Sequence, residues 1–525
     1  MSTPDRRAAA LAAVAGVVCA GVGFAVGELV AALVGPGSSP LFAAGAGVVD
    51  VVPAPLKEWA VATFGTGDKV VLLATMGVVL AAGAALAGWL ELRRPPAGAV
   101  LLGAVGAVGA VVAATRPGAD PAWALPSIVG VGVAVLLLRA AVATLGGPTA
   151  SPVTSGAPRA EAAADGGTRL DRRRFLLVTG LAAAAGVVAL AASRAVSAGT
   201  RVVTAAREAL RLPAPATPAP AVPADADLQV PGLTPYVTPN DGFYRIDTAL
   251  RVPQVDPGTW VLRVTGLVDT PFEVRLEDVL ALPLVEHHVT LTCVSNEVGG
   301  DLVGNARWLG YPVRDLLARA GVRDGADMVL STSADGWTAG TPLDVLTDPD
   351  RACLLAVGMN GEPLPPEHGF PARLVVPGLY GYVSATKWVT ELEVTTFADA
   401  VAYWTTRGWS ERGPVKLASR IDTPRASASV DAGTVTVAGV AWAQHTGIGE
   451  VEVRVDDGPW RTATLAGTVG PDTWRQWSFA WDAAPGDHRL TVRATDAEGR
   501  TQTSDVAPPA PDGASGWHEV RVRVG

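Results

Sequence analysis

Apolar residues are spread unevenly along this chain of 525 residues. Up to residue 212 the sequence consists mostly of Ala, Val, Leu and Gly, whereas beyond it short runs of alternating apolar and polar residues have the two-residue period of half-buried strands. Apolar runs of about 20 residues, the length that crosses a bilayer core, lie near 9–34, 70–91, 97–115, 123–145 and 175–197. The pattern predicts a membrane domain over residues 1–200 with about five transmembrane helices.

The run between residues 41 and 64 is better explained as an external loop or an interfacial helix, because it is interrupted by Asp50, Pro53, Pro55, Lys57 and Glu58. Basic residues cluster on one side of the alternating path, at 6–7, 93–94 and 159–174. The positive-inside rule then places the N-terminus in the cytoplasm. We expect a multi-pass protein of the cytoplasmic membrane whose C-terminal part lies on the extracytoplasmic side.

Two segments connect the predicted membrane domain to the rest of the chain. The sequence DRRRFLL (171–177) resembles a twin-arginine export signal, and the alternative is an ordinary arginine cluster that anchors the fifth helix. A Pro/Ala-rich linker follows at 201–229, in which LPAPATPAPAVPADADL (212–228) favours an extended, semi-rigid conformation. A disordered linker without a spacing role is equally compatible with this composition.

A cysteine lies at the end of a predicted strand in the second part of the chain. Val289, Leu291 and Cys293 alternate with Thr290 and Thr292, so the strand places the sulfur at its inner end. A soft thiolate in such a position suits a redox metal. The alternatives are a small buried apolar side chain or, in an oxidising compartment, a disulfide with Cys353.

Motifs around this cysteine carry a family resemblance. The segments TPNDGFYRIDTALRVPQVDPGTWVLRVTG (238–266), HHVTLTCVSNEVGG (287–300) and HGFPARLVVPGLYGYVSATKWV (368–389) resemble, in order and spacing, the sulfite oxidase family of molybdopterin enzymes. The resemblance covers roughly residues 230–525. It implies an α/β (mixed α+β) molybdopterin-binding domain at 230–420, with one molybdenum per chain held by Cys293 and a pterin dithiolene.

The resemblance also implies a set of cofactor contacts. A pterin phosphate and its ring donors and acceptors require cations, amides and close backbone approach. The matching positions are Asn240, Phe243, Tyr244, Arg245, Thr332 or Ser333, His368, Arg373, Ser384, Thr386 and Lys387. Judged singly, the aromatic residues among them could be packing residues, and His368 could be a turn histidine. His287 and His288 are expected to be structural, because neighbouring residues of a strand point to opposite faces.

Substrate residues match the family less well. The segment YWTTRGWSERGP (403–414) resembles sulfite-oxidising members, which have a catalytic tyrosine where Trp409 aligns. Animal sulfite oxidases have paired arginines after the ligand cysteine, whereas this chain has Glu297 and Val298, which do not attract an anion. Arg407, together with Arg412 and Lys416, could supply positive charge or could lie at the surface.

The combined interpretation is a membrane-anchored molybdenum oxotransferase whose catalytic residues are Cys293, Arg407 and Trp409. We expect two-electron oxygen-atom transfer on a small sulfur compound, with sulfite itself disfavoured and the direction of reaction open. One alternative is a reductase of methionine sulfoxide in proteins or of other S- or N-oxides. Another is a non-catalytic binding protein of the cell envelope.

The remaining predictions concern the C-terminal domain and partners. Short alternating strands at 421–525 predict a β-sandwich that resembles the immunoglobulin-like dimerisation domain of the same family, with Trp442, Trp477 and Trp481 in its core. All six histidines lie beyond residue 280, so the predicted membrane helices lack haem ligands. We therefore expect no haem in the chain and a separate electron-transfer protein or membrane redox partner. Membrane lipid and a possible homodimer are further expected contacts, and the net charge of −9 argues against nucleic acid.

Overall fold

A computed structural model describes residues 6–35, 38–53, 56, 59, 63–64, 67–116, 119–145, 179–180, 183–189, 191–192 and 199–525. The chain divides into two compact units, one formed by Met1–Thr200 with Ala249–Arg251 and the other by Arg201–Thr248 with Val252–Gly525. The segment DRRRFLL lies outside the described residues, as does most of the predicted fifth span at 175–197.

Long apolar helices form the first unit. They are α1 (Arg6–Val34), α2 (Pro40–Val51), α3 (Asp68–Arg93), α4 (Ala97–Ala114) and α5 (Leu125–Ala143), with a 3₁₀ turn at Pro121–Ala124. Among the described residues, four helical segments are long and apolar enough to cross a membrane: Arg6–Val34, Lys69–Arg93, Ala97–Ala114 and Pro121–Ala143. They confirm four of the predicted spans. Helix α2 is too short for this, in agreement with the prediction for residues 41–64.

Small residues allow these helices to approach each other closely. A Cβ added to Gly16 of α1 would lie 2.0 Å from the carbonyl oxygen of Ala84 in α3. A Cβ added to Gly23 would lie 2.4 Å from the carbonyl oxygen of Gly130 in α5. Membrane helices pack by such backbone contact, because lipid tails are as apolar as the side chains that would otherwise associate.

The second unit begins with a helix and an extended segment. Helix α6 (Gly199–Ala209) is attached to the domain by Arg207, whose Nε donates to the carbonyl oxygen of Leu364 at 2.9 Å. The linker predicted at 201–229 is thus helical up to Ala209, and the proline-rich segment follows this helix. Its backbone pairs with the neighbouring domain, where the N–H of Ala216 donates to the oxygen of Leu284 and the N–H of Glu286 donates to the oxygen of Thr217. The linker therefore lies along the domain edge.

Two sheets and three short helices form the domain that contains the cysteine. The first sheet has the order β2-β1-β10-β5-β6, and the second has the order β3-β4-β7-β8 with β9 beside β7. Strands β1 and β10 are parallel, and the remaining pairs in these two sheets are antiparallel. The elements are β1 (Val261–Gly266), β2 (Phe272–Arg275), α7 (Leu276–Leu280), β3 (Val285–Thr292), β4 (Val303–Pro312), α8 (Val313–Ala320), β5 (Met328–Ser333), β6 (Thr338–Pro342), α9 (Leu343–Thr347), β7 (Leu354–Met359), β8 (Glu362–Pro363), β9 (Arg373–Val375) and β10 (Val389–Thr395).

The C-terminal domain is the predicted immunoglobulin-like sandwich. Its sheets have the orders β11-β13-β17-β16 and β12-β19-β18-β14-β15. The strands are β11 (Ala418–Thr423), β12 (Ser429–Val430), β13 (Gly433–Trp442), β14 (Ile448–Val455), β15 (Arg461–Thr462), β16 (Thr464–Leu465), β17 (Arg475–Ala483), β18 (Gly486–Asp496) and β19 (His518–Val524). Trp477 and Trp481 lie in its core, as predicted, and Trp442 is buried in a smaller cluster with Tyr236 and Trp474.

The sandwich supports the loop that follows the cysteine. The guanidinium of Arg420 donates to the carbonyl oxygen of Gly300 at 2.7 Å, and the ring of His518 lies against Gly299. The backbone N–H of Thr290 in β3 also donates to the oxygen of Asp472 at 2.9 Å. The strand and the loop that position the sulfur are thus held by both domains of the second unit.

Candidate active site

Cys293 directly follows β3 and is 9% exposed. Its backbone N–H donates to the carbonyl oxygen of Leu302 at 2.9 Å, which fixes the end of the strand. All three cysteines of the chain are free, and the thiol of Cys353 donates to the carbonyl oxygen of Val345 at 3.3 Å. The disulfide alternative for Cys293 is therefore wrong.

The surroundings of Cys293 disfavour a free thiolate. Burial raises the pKa of the thiol, and hydrogen bonds from the backbone and side chain of Ser295 offset part of this increase, as does the charge of Lys387. A coordinating metal ion deprotonates a thiol outright, because its charge replaces the missing solvation. The site is thus suited to a thiolate only when a cation is bound to it.

Arg373, at the start of β9, is 5% exposed. Its guanidinium donates to the carbonyl oxygens of His368, Leu374 and Ala385 at 3.2, 3.3 and 3.4 Å. Burial lowers the pKa of Arg373 to about 10, so it remains charged at neutral pH. Among residues 199–525 no carboxylate pairs with it. A buried guanidinium that has only neutral acceptors fits an anionic group such as a phosphate.

A second cation lies near Arg373. The ammonium group of Lys387 is 2.8 Å from Oδ2 of Asp247, which also accepts from Nε of Arg245 at 2.8 Å. Burial lowers the pKa of Lys387 to about 8, and Asp247 opposes this effect. The phenol of Tyr244 interacts with both Cys293 and Arg373. Burial raises the pKa of Tyr244, a charge on Cys293 raises it further, and the charge of Arg373 lowers it. The structure thus brings together Cys293, Tyr244, Arg373 and Lys387.

Asn240, Phe243 and His368 form the adjacent wall. Burial lowers the pKa of His368 to about 4, so the ring is neutral, and Nε2 must carry its proton because it lies 3.1 Å from the carbonyl oxygen of Asn240. The ring centroids of His368 and Phe243 are 5.5 Å apart. The side-chain oxygen of Asn240 accepts from Asn360 at 2.8 Å. These contacts hold the three predicted residues in fixed orientations.

Three of the four predicted hydroxyl groups, those of Ser333, Ser384 and Thr386, have hydrogen bonds within the protein. The hydroxyl of Ser384 donates to the carbonyl oxygen of Tyr380 at 2.9 Å, and that of Thr386 is 2.6 Å from the hydroxyl of Ser331. The hydroxyl of Ser333 accepts from the backbone of Asp335 at 3.5 Å, and the backbone oxygen of Thr332 accepts from Thr390 at 3.2 Å. Direct contact of these four side chains with a cofactor stays a prediction.

Arg407 and Trp409 lie in a separate aromatic cluster. The ring centroids of Trp409 and Tyr382 are 5.8 Å apart, and the guanidinium of Arg407 lies 3.5 Å above the ring centroid of Tyr403. The cluster approaches the cysteine strand through the 3₁₀ turn Gly381–Val383, because a Cβ added to Gly381 would lie 3.9 Å from the carbonyl oxygen of Thr292.

Several site residues were missed by the sequence interpretation. Tyr380 precedes the same turn, and burial raises its pKa to about 12 with a contribution from the charge of Cys293. Tyr380 and Tyr382 both lie inside the family motif at 368–389, and Asp247 lies inside the family motif at 238–266. Their presence within these motifs was the available signal. Ser295, two residues after the cysteine, was also missed, although it lies inside the motif 287–300.

Of the paired histidines, which were expected to be structural, His287 has a contact that supports this role, and the role of His288 stays a prediction. Nε2 of His287 is 2.9 Å from Asp472, and burial lowers the pKa of His288 to about 4. Within the described part of the chain, no three His, Cys, Asp or Glu side chains are grouped to hold a metal ion.

Comparisons with known proteins cover both of these domains. A model of the oxidoreductase molybdopterin binding domain matches residues 249–404, and a model of the bacterial Ig domain matches residues 418–492. Mitochondrial sulfite oxidase of Homo sapiens is 31% identical over 345 residues, which cover 55% of this chain and 62% of that protein. The chain thus spans less than two thirds of the length of the mitochondrial sulfite oxidases of Homo sapiens and Macaca fascicularis.

A shorter relative is covered more completely. The uncharacterized oxidoreductase YuiH of Bacillus subtilis is 39% identical over 158 residues, which cover 30% of this chain and 76% of that protein. Among solved structures, the sulfane dehydrogenase SoxCD of Paracoccus pantotrophus has 24% identity and a TM-score of 0.47, with 55% of this chain and 81% of that chain covered.

Proposed function

The chain belongs to the sulfite oxidase family of molybdopterin-binding oxidoreductases, and from this we propose that it is a molybdenum oxotransferase with Cys293 as the protein ligand of the metal. The observation that carries the proposal is that the buried Cys293 sulfur interacts with Lys387 and Tyr244, and that Tyr244 in turn interacts with Arg373, which has no carboxylate partner among residues 199–525. When bound, the cofactor supplies oxygen-atom exchange and two-electron redox chemistry. One molybdenum per chain is expected.

The residues of the site would hold the cofactor in distinct ways. The guanidinium of Arg373 and the ammonium of Lys387 would bind the phosphate, because both are buried cations of this site: Lys387 interacts with the Cys293 thiol, and Arg373 interacts with Tyr244. Neutral His368 would offer Nδ1 as an acceptor for donors of the pterin ring, since its Nε2–H already donates to the carbonyl oxygen of Asn240. Phe243 is stacked on Tyr244 with ring centroids 5.2 Å apart, and it would form the apolar side of the cofactor pocket.

We propose a small, uncharged sulfur compound as the substrate. The three cations near Trp409 have partners of their own: Arg407 donates to the oxygen of Tyr403 at 2.7 Å, Lys416 is 2.8 Å from Asp512, and Arg412 lies 5.0 Å from the ring centroid of Phe397. Glu297 adds a negative charge to the loop after the cysteine. The carboxylates of Asp512 and Glu297 offset part of the positive charge in this region, which disfavours an anion such as sulfite. Oxidation of an uncharged sulfur compound and reduction of an S-oxide both fit such a site, and N-oxides are a related class.

The helical unit supports membrane association. We propose that it anchors the chain in the cytoplasmic membrane with the catalytic unit on the extracytoplasmic side. A separate one-electron carrier would exchange electrons with the site. The C-terminal sandwich would be the contact surface if the chain forms a homodimer.

Metal and pterin analysis of the purified full-length chain tests the central proposal. We expect about one molybdenum per chain in the wild type and its loss in Cys293→Ser, because a serine hydroxyl is not a soft thiolate ligand. Cys353→Ser is the matched control, since it also removes a buried thiol and should keep the metal. A wild-type chain without molybdenum or pterin contradicts the function, and full metal content in Cys293→Ser contradicts the ligand assignment.

Substrate assays test the finer proposal. Dimethyl sulfoxide, methionine sulfoxide and trimethylamine N-oxide are offered with reduced viologen, and sulfite is offered with ferricyanide. We expect the S-oxides to be turned over faster than sulfite. Faster oxidation of sulfite would contradict an uncharged substrate.

A further inference from the structure

We propose that Arg420 of the C-terminal sandwich is a positioning residue for Cys293, and that it acts through residues 294–301, which we call the cysteine loop. The proposal deepens the proposed function and rests on it, because it takes Cys293 to be the protein ligand of the metal. It gives the sandwich a part in the metal site that is separate from any contact between subunits.

The cysteine loop is closed at its base by the cysteine itself. The backbone N–H of Cys293 donates to the carbonyl oxygen of Leu302 at 2.9 Å, and the N–H of Leu302 donates to Oδ1 of Asn296 at 2.8 Å. The N–H of Asn296 donates in turn to the carbonyl oxygen of Cys293 at 3.1 Å. Ser295 of the same loop donates hydrogen bonds to the Cys293 sulfur. Displacement of the loop therefore changes both the orientation and the surroundings of the sulfur.

The far end of the loop is held by Arg420. Its Nη1 donates to the carbonyl oxygen of Gly300 at 2.7 Å. Gly300 also lies against Asn296, because an added Cβ would be 2.6 Å from Oδ1 of that side chain. A movement of Gly300 is thus transmitted through Asn296 and Leu302 to the backbone of Cys293.

Arg420 is itself held in one orientation. Its Nε donates to Oδ1 of Asp422 at 2.6 Å and its Nη2 donates to the hydroxyl of Thr234 at 2.9 Å, so all three guanidinium nitrogens have acceptors. Oδ2 of Asp422 accepts from the N–H of Thr234 at 3.0 Å. A planar guanidinium with three fixed acceptors defines a direction, which a flexible ammonium group does not.

The burial of this ion pair supports a positioning role. The side chains of Arg420 and Asp422 are only 7% and 6% exposed. Removal of two charges from water offsets much of their attraction, so a buried ion pair is a weak stabiliser of the fold. This pair instead joins three segments that are distant in sequence, namely the segment around Thr234, the cysteine loop and strand β11.

A second contact between the sandwich and the loop is made by His518. A Cβ added to Gly299, whose φ is +80°, would overlap the imidazole ring of His518. Nδ1 of this ring accepts from the N–H of Ile421 at 3.0 Å, next to Arg420. Gly299→Ala should therefore push the loop away from the sandwich while Arg420 is unchanged, and it provides an independent perturbation of the same loop.

Thiol alkylation tests the positioning role without the cofactor. The full-length, metal-free chain is treated with iodoacetamide, and mass spectrometry follows Cys293 and Cys353, both free and buried, in the same sample. Arg420→Lys keeps a cation beside Asp422, so we expect the fold to be retained, but one ammonium group cannot reproduce the three directed bonds. We expect Cys293 to react about tenfold faster in Arg420→Lys and in Gly299→Ala, because the loop that covers it is released. Cys353 should react at the wild-type rate.

Arg475→Lys is the matched control. Nε and Nη1 of Arg475 donate to two carbonyl oxygens within the sandwich, at 2.7 and 3.1 Å. This substitution should leave the alkylation of Cys293 unchanged. An unchanged rate at Cys293 in Arg420→Lys overturns the proposal. An equal acceleration at Cys353 also overturns it, because it would show that the whole domain is destabilised.

The loaded enzyme provides the second measurement. The absorption band of a thiolate–metal bond depends on the orientation of the sulfur relative to the metal. We expect this band to shift in Arg420→Lys at unchanged molybdenum content and to keep its position in Arg475→Lys. An unshifted band in Arg420→Lys overturns the proposal. A wild-type chain without molybdenum overturns the proposed function instead, an outcome on which the alkylation of Cys293 does not depend.

Discussion

The ammonium nitrogen of Lys387 lies 2.8 Å from Oδ2 of Asp247, and their side chains are only 11% and 5% exposed. Asp247→Asn removes the countercharge of a buried cation, so we expect a loss of about 3–5 kcal/mol in the free energy of unfolding. Adding Lys387→Met to Asp247→Asn should recover part of this loss. Urea unfolding of the four members of the double-mutant cycle measures the coupling, and additive effects would show that the pair does not interact.

Arg373 should matter for the cofactor far more than for folding. Arg373→Met gives up three hydrogen bonds to carbonyl groups, each worth about 0.5–1.5 kcal/mol, but it also relieves the burial of a charge. We therefore expect little change in the thermal unfolding of metal-free protein and a strong loss of pterin fluorescence after extraction. Arg314→Met, which removes an exposed guanidinium bound to the oxygen of Pro349, is the control and should retain the pterin.

Stability of the second unit should decrease as the pH falls from about 6.5 to about 4. Burial lowers the pKa of His288, His368 and His518 to about 4, so in this window the unfolded chain binds more protons than the folded one. Nδ1 of His518 accepts from the N–H of Ile421, an interaction that an asparagine oxygen can replace. Urea midpoints of His518→Asn should depend less on pH than those of wild type. An identical dependence would contradict the assignment of His518.

Gly266 ends β1 with a φ of +85°, and an added Cβ would lie 2.1 Å from the carbonyl oxygen of Val394. Gly325 has a φ of +90° but nothing within 4 Å of the same position. Gly325→Ala should cost about 1–2 kcal/mol of backbone strain, and Gly266→Ala should cost a further ~1–3 kcal/mol because backbone must move. Chemical denaturation compares them, and equal costs would show that the contact with Val394 is easily relieved.

The helix contact at Gly16 should be sensitive to side-chain size. Gly16→Val places a side chain against the backbone of Ala84 and should destabilise the helical unit by about 1–3 kcal/mol. Gly21→Val changes the same helix in the same way but meets no atom within 4 Å. Thermal unfolding in detergent should therefore separate the two variants. Equal unfolding temperatures would contradict the close packing of α1 and α3.

Features that depend on the local pattern of residues were predictable. Four membrane spans followed from the length of apolar runs, because a bilayer imposes a fixed length on a helix. The sandwich followed from alternation between turn residues, and the burial of Trp477 followed from its inward position. Cys293 was identified as the candidate ligand by its place at a strand end within a family motif.

Features that depend on contacts between distant segments were not predictable. The partner of Lys387 is 140 residues earlier in the chain, and the proline-rich segment was expected to be a linker, whereas it pairs with the edge of β3. The contact of Tyr382 with Trp409 joins two motifs that the sequence shows only as neighbours in order.

The sequence by itself determined which part of the chain is suited to a membrane and which part to water, its family and the residue types of its site. The reason is that hydrophobic period and motif chemistry are local properties. Only the tertiary structure decided that the Cys293 thiol is free, that Arg373 is buried with neutral acceptors alone among the described residues, and that the rings of Tyr382 and Trp404 both contact Trp409. The physical reason is that packing between distant segments determines which groups are buried. Burial in turn determines how strongly charges interact, and packing determines which rings are in contact.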